Sequence, residues 1–252
     1  MQELASRIEH RLRFSSNELL RMLATALVAA FVLSFRKWGG ETFDLTTGII
    51  NVILSAAFVF IFLLMHFAVQ KIVALNYGYG SEYKNWHNGF LISLIITFFS
   101  FGFIPLFFTG VLSFDAISKL RIGTFRGGIM HKHLGVIAVA GPIINMVIVG
   151  LLAPIYLATK SSFVFDMITI NLLIALFSML PIPTFEKLRQ FKGGTTGLYL
   201  FIASRWAYFL AAGVVLSFAL LIWIAKTFSF IIAILLGAIT AFIYYRIYES
   251  EK

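Results

Sequence analysis

The sequence predicts an all-α polytopic membrane protein of about six transmembrane helices, with a re-entrant or irregular membrane segment between spans two and three. Three observations predict it. Of the 252 residues, 60% are hydrophobic and only 12% charged, whereas soluble domains carry about 25% charged residues. Apolar runs long enough to cross a bilayer, ~20 residues each, recur along the chain. The net charge of +9 sits in the short polar connections, as expected of cytoplasmic loops. No soluble basic-aromatic face accompanies it, so nucleic acid is excluded as a partner and membrane lipids are expected. The chain has no cysteine, which excludes disulfides, thiolate metal sites and a cysteine nucleophile.

The elements follow in order. Residues 1–18 form a cytoplasmic N-terminal segment. Leu4, Ile8 and Leu12 share one helical face among Arg7, Arg11 and Arg13, the pattern of a surface-lying amphipathic helix. Glu3 and Glu9 and the lack of a small-residue cleavage site argue against a removable signal peptide. Ser15 with Glu18 three residues on is a capping box for the first span, 19–35. The second span covers 48–74, and a polar stretch from Asn76 to Asn88 ends it. Residues 89–112 have the length of a span but are interrupted by Gly102, Pro105 and Gly110. Further spans are expected at 134–158, 163–181, 198–225 and 228–247. The division expected is a membrane core over 19–200 and a C-terminal helix pair over 201–252.

Charge decides the reading of 89–112. If it does not cross, only Arg36, Lys37, Lys160 and Lys226 of the twenty basic residues lie on one side. That asymmetry favours a re-entrant segment, a plasma-membrane protein and both termini in the cytoplasm.

The chemistry-bearing feature is His66-Phe67-Ala68-Val69-Gln70 inside the second span. A polar residue at that depth is expensive and needs a reason. His66 and Gln70 share one helical face, with the spacing of the two histidines in a zinc-binding H-E-x-x-H helix. Later come Ala140-Gly141-Pro142-Ile143-Ile144-Asn145, and Asn171-Leu172-Leu173 running to Pro181-Ile182-Pro183. This ordered set, with Glu18-Leu19-Leu20, Tyr77-Gly78, Glu82-Tyr83 and Ile104-Pro105, resembles the archaeal-type branch of the site-2 proteases, which are intramembrane zinc metalloproteases. The similarity extends over most of residues 15–200. The three segments resemble that family's H-E-x-x-H helix, its A-G-P-x-x-N segment and its N-x-x-P-x-P-x-L-D-G helix end.

The resemblance implies a degenerate member. His66 stands at the first zinc ligand, Phe67 at the general base, Gln70 at the second ligand and Glu186 at the third. Lys187 replaces the usual glycine, and Ser178 the motif asparagine. Gly141, Pro142, Asn145, Pro181 and Pro183 keep the scaffold pattern. Zinc hydrolysis needs three protein ligands, an open position for water and a base. Phe67 accepts no proton, and a Gln amide is a poor substitute for imidazole. The expectation is therefore no bound metal, no cofactor and no confident catalytic residue. The expected function is that of an inactive homologue binding or regulating another membrane protein or transmembrane helix.

Two other functions compete. One is a divergent intramembrane zinc metalloprotease, for which His87, His131 and His133 supply alternative ligands. The other is a small transporter or channel, for which Asp166 and Arg205 are the obvious charges.

Overall fold

The fold comes from a computed structural model. It describes residues 8, 11–39, 42–116, 130–187, 190–221 and 229–249. The remainder of the expected N-terminal amphipathic helix lies outside the described residues, as do the loop 117–129 and Lys226.

Helix α1 (Ser16–Ser34) opens with the capping box. Ser15 Oγ accepts from Glu18 N at 3.2 Å, and Glu18 Oε2 accepts from Ser15 N at 2.9 Å. Helix α2 (Leu45–Asn76) starts at Asp44, whose carboxylate accepts from Thr46 N at 2.9 Å. It packs against α1. Strand β1 (Tyr79–Lys84) follows, then helix α3 (His87–Phe99) and strand β2 (Val111–Ala116), which pairs antiparallel with β1. Helices α4 (His131–Thr159) and α5 (Ser162–Ser178) pack together and against α2. A second antiparallel pair, β3 (Pro183–Lys187) with β4 (Gln190–Gly194), leads into α6 (Thr196–Ala203). Helices α7 (Arg205–Leu221) and α8 (Ser229–Tyr244) end the bundle, with a π turn over Tyr245–Glu249.

The expected count of about six transmembrane helices is corrected. Among the described residues only α1, α2 and α4 are long and apolar enough to cross a membrane. Among the described residues the other apolar runs form shorter helices. Seventeen residues of α5 rise about 25 Å, short of a ~30 Å hydrocarbon core. Pro181 and Pro183 follow that helix and cannot extend it. The run 198–225 breaks at Ser204, whose φ of −163° and ψ of 113° are extended. The bundle also carries two small sheets, where the polar stretches read only as connections.

Residues 89–112 are not one helix either. α3 ends at Phe99, and Phe101 (φ 50°) and Gly102 (φ 72°) adopt left-handed backbone. At Gly102 a Cβ would sit 2.8 Å from both Phe35 and Arg36. The tip thus rests on the C-terminal end of α1, where Arg36 lies 3.9 Å over the Phe103 ring. The chain then returns through an irregular stretch to β2, beside the strand it left.

Each long helix divides its faces. On α4, Leu134, Ala138, Gly141, Pro142, Asn145 and Val149 are buried, while Ile143, Val147 and Leu151 are exposed. Large exposed side chains also stripe α1 and α3, such as Leu20, Leu27, Ile95 and Phe99. Continuous apolar faces of this extent have no place in water. The protein is membrane-associated, with a multi-pass-like architecture.

Candidate functional site

The polar residues of the core gather on two neighbouring faces of α2. One face, with His66 and Gln70, meets α4. The other, with Phe67 and Lys71, meets α1 and β1. The 100° turn between successive helical residues separates them.

The first face is built around a proline. Pro142 lies inside α4 and has no N–H to give the carbonyl of Ala138, four residues earlier. Gln70 gives one instead, its Nε2 donating to Ala138 O at 3.1 Å. The same nitrogen approaches Thr196 Oγ1 at 3.5 Å and His66 Nε2 at 3.4 Å. Gly141 permits this approach. A Cβ there would overlap the His66 ring and stand 2.6 Å from Gln70 Nε2.

On its other side His66 Nδ1 lies 3.2 Å from Asn145 Oδ1. Asn145 in turn exchanges bonds with α5. Its Nδ2 donates to Asn171 O at 3.4 Å, and Asn171 Nδ2 donates to Asn145 O at 3.1 Å. His66, Asn145 and Asn171 are fully buried. Among the described residues Asn171 Oδ1 has no hydrogen-bond partner.

These contacts fix proton positions. Asn145 Oδ1 is an acceptor, so His66 carries its proton on Nδ1, and the Nε2 lone pair faces Gln70. A neutral imidazole oriented this way has the tautomer of a metal ligand with an outer-shell acceptor behind it. The lone pair meets an N–H, however. Turning the Gln70 amide to present its oxygen would set that oxygen against Ala138 O. The described residues therefore do not fit a zinc ion at His66. Among them, no group of three or more His, Cys, Asp or Glu could hold a metal.

Phe67 is fully buried on the second face. Its ring packs edge-on against Tyr83, centroids 4.8 Å apart. Burial raises the Tyr83 hydroxyl above its ordinary pKa, against a smaller opposing effect of the hydrogen bond to Thr25. Beside it Lys71 Nζ is 2.6 Å from Glu18 Oε1, and both side chains are about 5% exposed. Glu18 Oε1 also accepts from Tyr83 N at 2.7 Å. This buried ion pair did not stand out in the sequence, where Glu18 reads as a cap and Lys71 as the end of a span.

Glu186 lies in β3, but its side chain is outside the described set. The ends of the β3–β4 segment are tied together by Thr195. Its backbone N donates to Ile182 O at 3.0 Å, its Oγ1 accepts from Ile182 N at 3.1 Å, and the hydroxyl donates to Leu180 O. Pro181 and Pro183 flank Ile182 at the start of this fold-back, whose end presents Thr196 to Gln70. Neither threonine was singled out by sequence reasoning. Their one local signal is a Gly-Gly-Thr-Thr run opening an apolar segment.

The other histidines lie elsewhere. His133 Nδ1 is 2.9 Å from Tyr79 Oη, and its ring stacks on Tyr77. His131 is exposed at the start of α4, and His87 lies beside Phe90. Asp166 pairs with Lys37 at 2.8 Å, half exposed. Arg205 lies 5.9 Å from the Phe201 ring.

A curated protein of Methanocaldococcus jannaschii, provisionally named a zinc metalloprotease, is 26% identical over 180 residues, covering 69% of this chain and 83% of its own length. The chain is its distant relative. No family model matches, and no solved structure does. The relationship is to a protein provisionally named a metalloprotease, while the described residues contain no identifiable catalytic metal site.

Proposed function

We propose that this chain is a catalytically inactive site-2-protease-like membrane protein of the archaeal-type branch, which binds or regulates another membrane protein or transmembrane helix. One observation supports this reading above the rest. Gln70, at the position of the second zinc ligand, donates to the carbonyl that Pro142 leaves open. A side chain engaged in holding α2 to α4 is not free to complete a metal shell. His66, Gln70 and Glu186 are then vestigial metal positions. Gly141, Pro142, Asn145, Pro181 and Pro183 are retained scaffold. Phe67 at the base position removes general-base help, worth ~10²–10⁴-fold in rate.

The location proposed is the plasma membrane. The end bearing Arg11, Arg13, Arg21, Lys71 and Lys84 faces the cytoplasm by the positive-inside argument. Both termini share that side only with an even number of crossings, which labelling of introduced cysteines counts directly in this cysteine-free chain.

Zinc content and cleavage of a model transmembrane substrate test the inactivity. The protein as it stands is expected to carry no stoichiometric zinc and to cut nothing. The double variant Phe67→Glu, Gln70→His is expected to gain zinc. One equivalent of zinc in the unaltered protein, lost on His131→Ala or His133→Ala, would establish a rewired metalloprotease instead. Photo-crosslinking from positions in 181–184 reads out the partner. Recovery of lipid adducts alone would remove the helix-binding part of the proposal.

A further inference from the structure

A cavity of about 210 Å³ opens beside the buried ion pair, lined by Arg11, Lys71, Leu75, Gly80 and Ser81. It is smaller than the ~300–1,000 Å³ of sites for drug-sized ligands, which suits a small headgroup. Its walls are rich in donors. Lys71 has three N–H bonds. One goes to Glu18 at 2.6 Å and one to Arg13 O at 3.3 Å, and the ammonium also lies 4.3 Å over the Phe14 ring. The Arg11 guanidinium is exposed and adds a forked donor suited to phosphate.

The strand edge supplies another. Among the described residues β1 pairs only with β2. Tyr83 turns both backbone groups away from β2: its N–H goes to Glu18 Oε1 at 2.7 Å, and its carbonyl accepts from Arg21 at 3.3 Å. In an antiparallel ladder the outward residues alternate. Ser81, two residues back, therefore presents its N–H on the same outer edge. At Tyr83 that edge already holds an anionic oxygen, shared with Lys71. The cavity repeats the arrangement one step along, with Lys71 again beside it, Arg11 added, and no carboxylate among the described residues that line it.

We propose that this cavity is an anion site taking a phosphate group, held by Arg11, Lys71 and the backbone and hydroxyl of Ser81. The oxyanion comes from an anionic phospholipid headgroup or from a small soluble phosphate. The site lies where α2 leaves the apolar core, at the more basic end of the bundle. A basic pocket at that level is suited to lipid headgroups. Bound phosphate would pin residues 11–14 against β1.

The delipidated protein in neutral detergent is titrated with inorganic phosphate, and the protein in nanodiscs with and without phosphatidylglycerol is compared by thermal unfolding and native mass spectrometry. Expected is a saturable stabilisation and one retained anion. Arg11→Gln should weaken it about tenfold, the worth of one charge-assisted hydrogen bond. Arg36→Gln, at the opposite end, should leave it unchanged. Arg11 is exposed, so its variant should fold. Saturation by phosphate alone assigns a soluble ligand, and a response confined to phosphatidylglycerol assigns the lipid. No saturable response to either, or equal weakening by Arg11→Gln and Arg36→Gln, would overturn the site. The result is independent of the zinc and cleavage tests.

Discussion

Helix α2 buries two polar clusters one residue out of step, and they solve the problem of burial differently. The His66–Gln70 face is neutral. It links an imidazole, three amides and a backbone carbonyl opened by a proline. The Glu18–Lys71 face is ionic, and its charges are covered by Tyr83 N, Ser15 N and Arg13 O. A buried ion pair stabilises only when further hydrogen bonds offset its large desolvation. A neutral network starts with a smaller debt and tolerates an open acceptor such as Asn171 Oδ1. The comparison teaches that a buried polar cluster can stay connected either with or without charge. The first face stays connected without a charge, while the second uses the chain's own cation and anion.

The largest effect should come from breaking the ionic face. Lys71→Met leaves Glu18 charged and buried, a loss of about 3–5 kcal/mol. Adding Glu18→Gln should recover much of it, and thermal unfolding in detergent measures both. If Lys71→Met costs no more than a surface substitution, the two faces do not differ as described. Gln70→Leu should come next. It strands the Ala138 carbonyl and His66 Nε2, at about 1–3 kcal/mol, and the added Pro142→Ala should compensate by returning an N–H to that carbonyl. Additive losses in this double variant would sever the link between Gln70 and Pro142.

The smallest effect lies at the far end of α2. Hydrogen bonds from the Thr47 side chain, then from the Thr47 and Thr46 backbones, hold the Asp44 carboxyl below its usual range. A depressed pKa stabilises the fold above the unfolded value, ~3.9, and the contribution fades as pH falls through the folded value. Asp44→Ala should flatten the unfolding curve of that helix end slightly. The difference from the parent should vanish in acid.

Much of this was legible in the sequence. The capping box at Ser15 and Glu18 is local, and three of the apolar runs became long helices. The spacing of His66 and Gln70, and the Gly141-Pro142 to Asn145 segment, pointed to residues that do meet. Helix lengths were less legible, because hydropathy does not register the break at Ser204 or the left-handed turn at Phe101 and Gly102. The pairing of β1 with β2 joins a stretch that reads as a polar loop to the end of an interrupted span and the loop after it. Glu18 and Lys71 are separated by 53 residues, and each has a sufficient local explanation. What joins them is tertiary.

Pro142 carries a consequence for biogenesis. When α4 first enters the bilayer, the Ala138 carbonyl has no donor within its own helix. An open backbone group in hydrocarbon costs several kcal/mol. Its donor, Gln70, belongs to a helix synthesised earlier. The later segment therefore completes its backbone only by docking on the earlier one, so a defect in α2 would be felt as faulty insertion of α4.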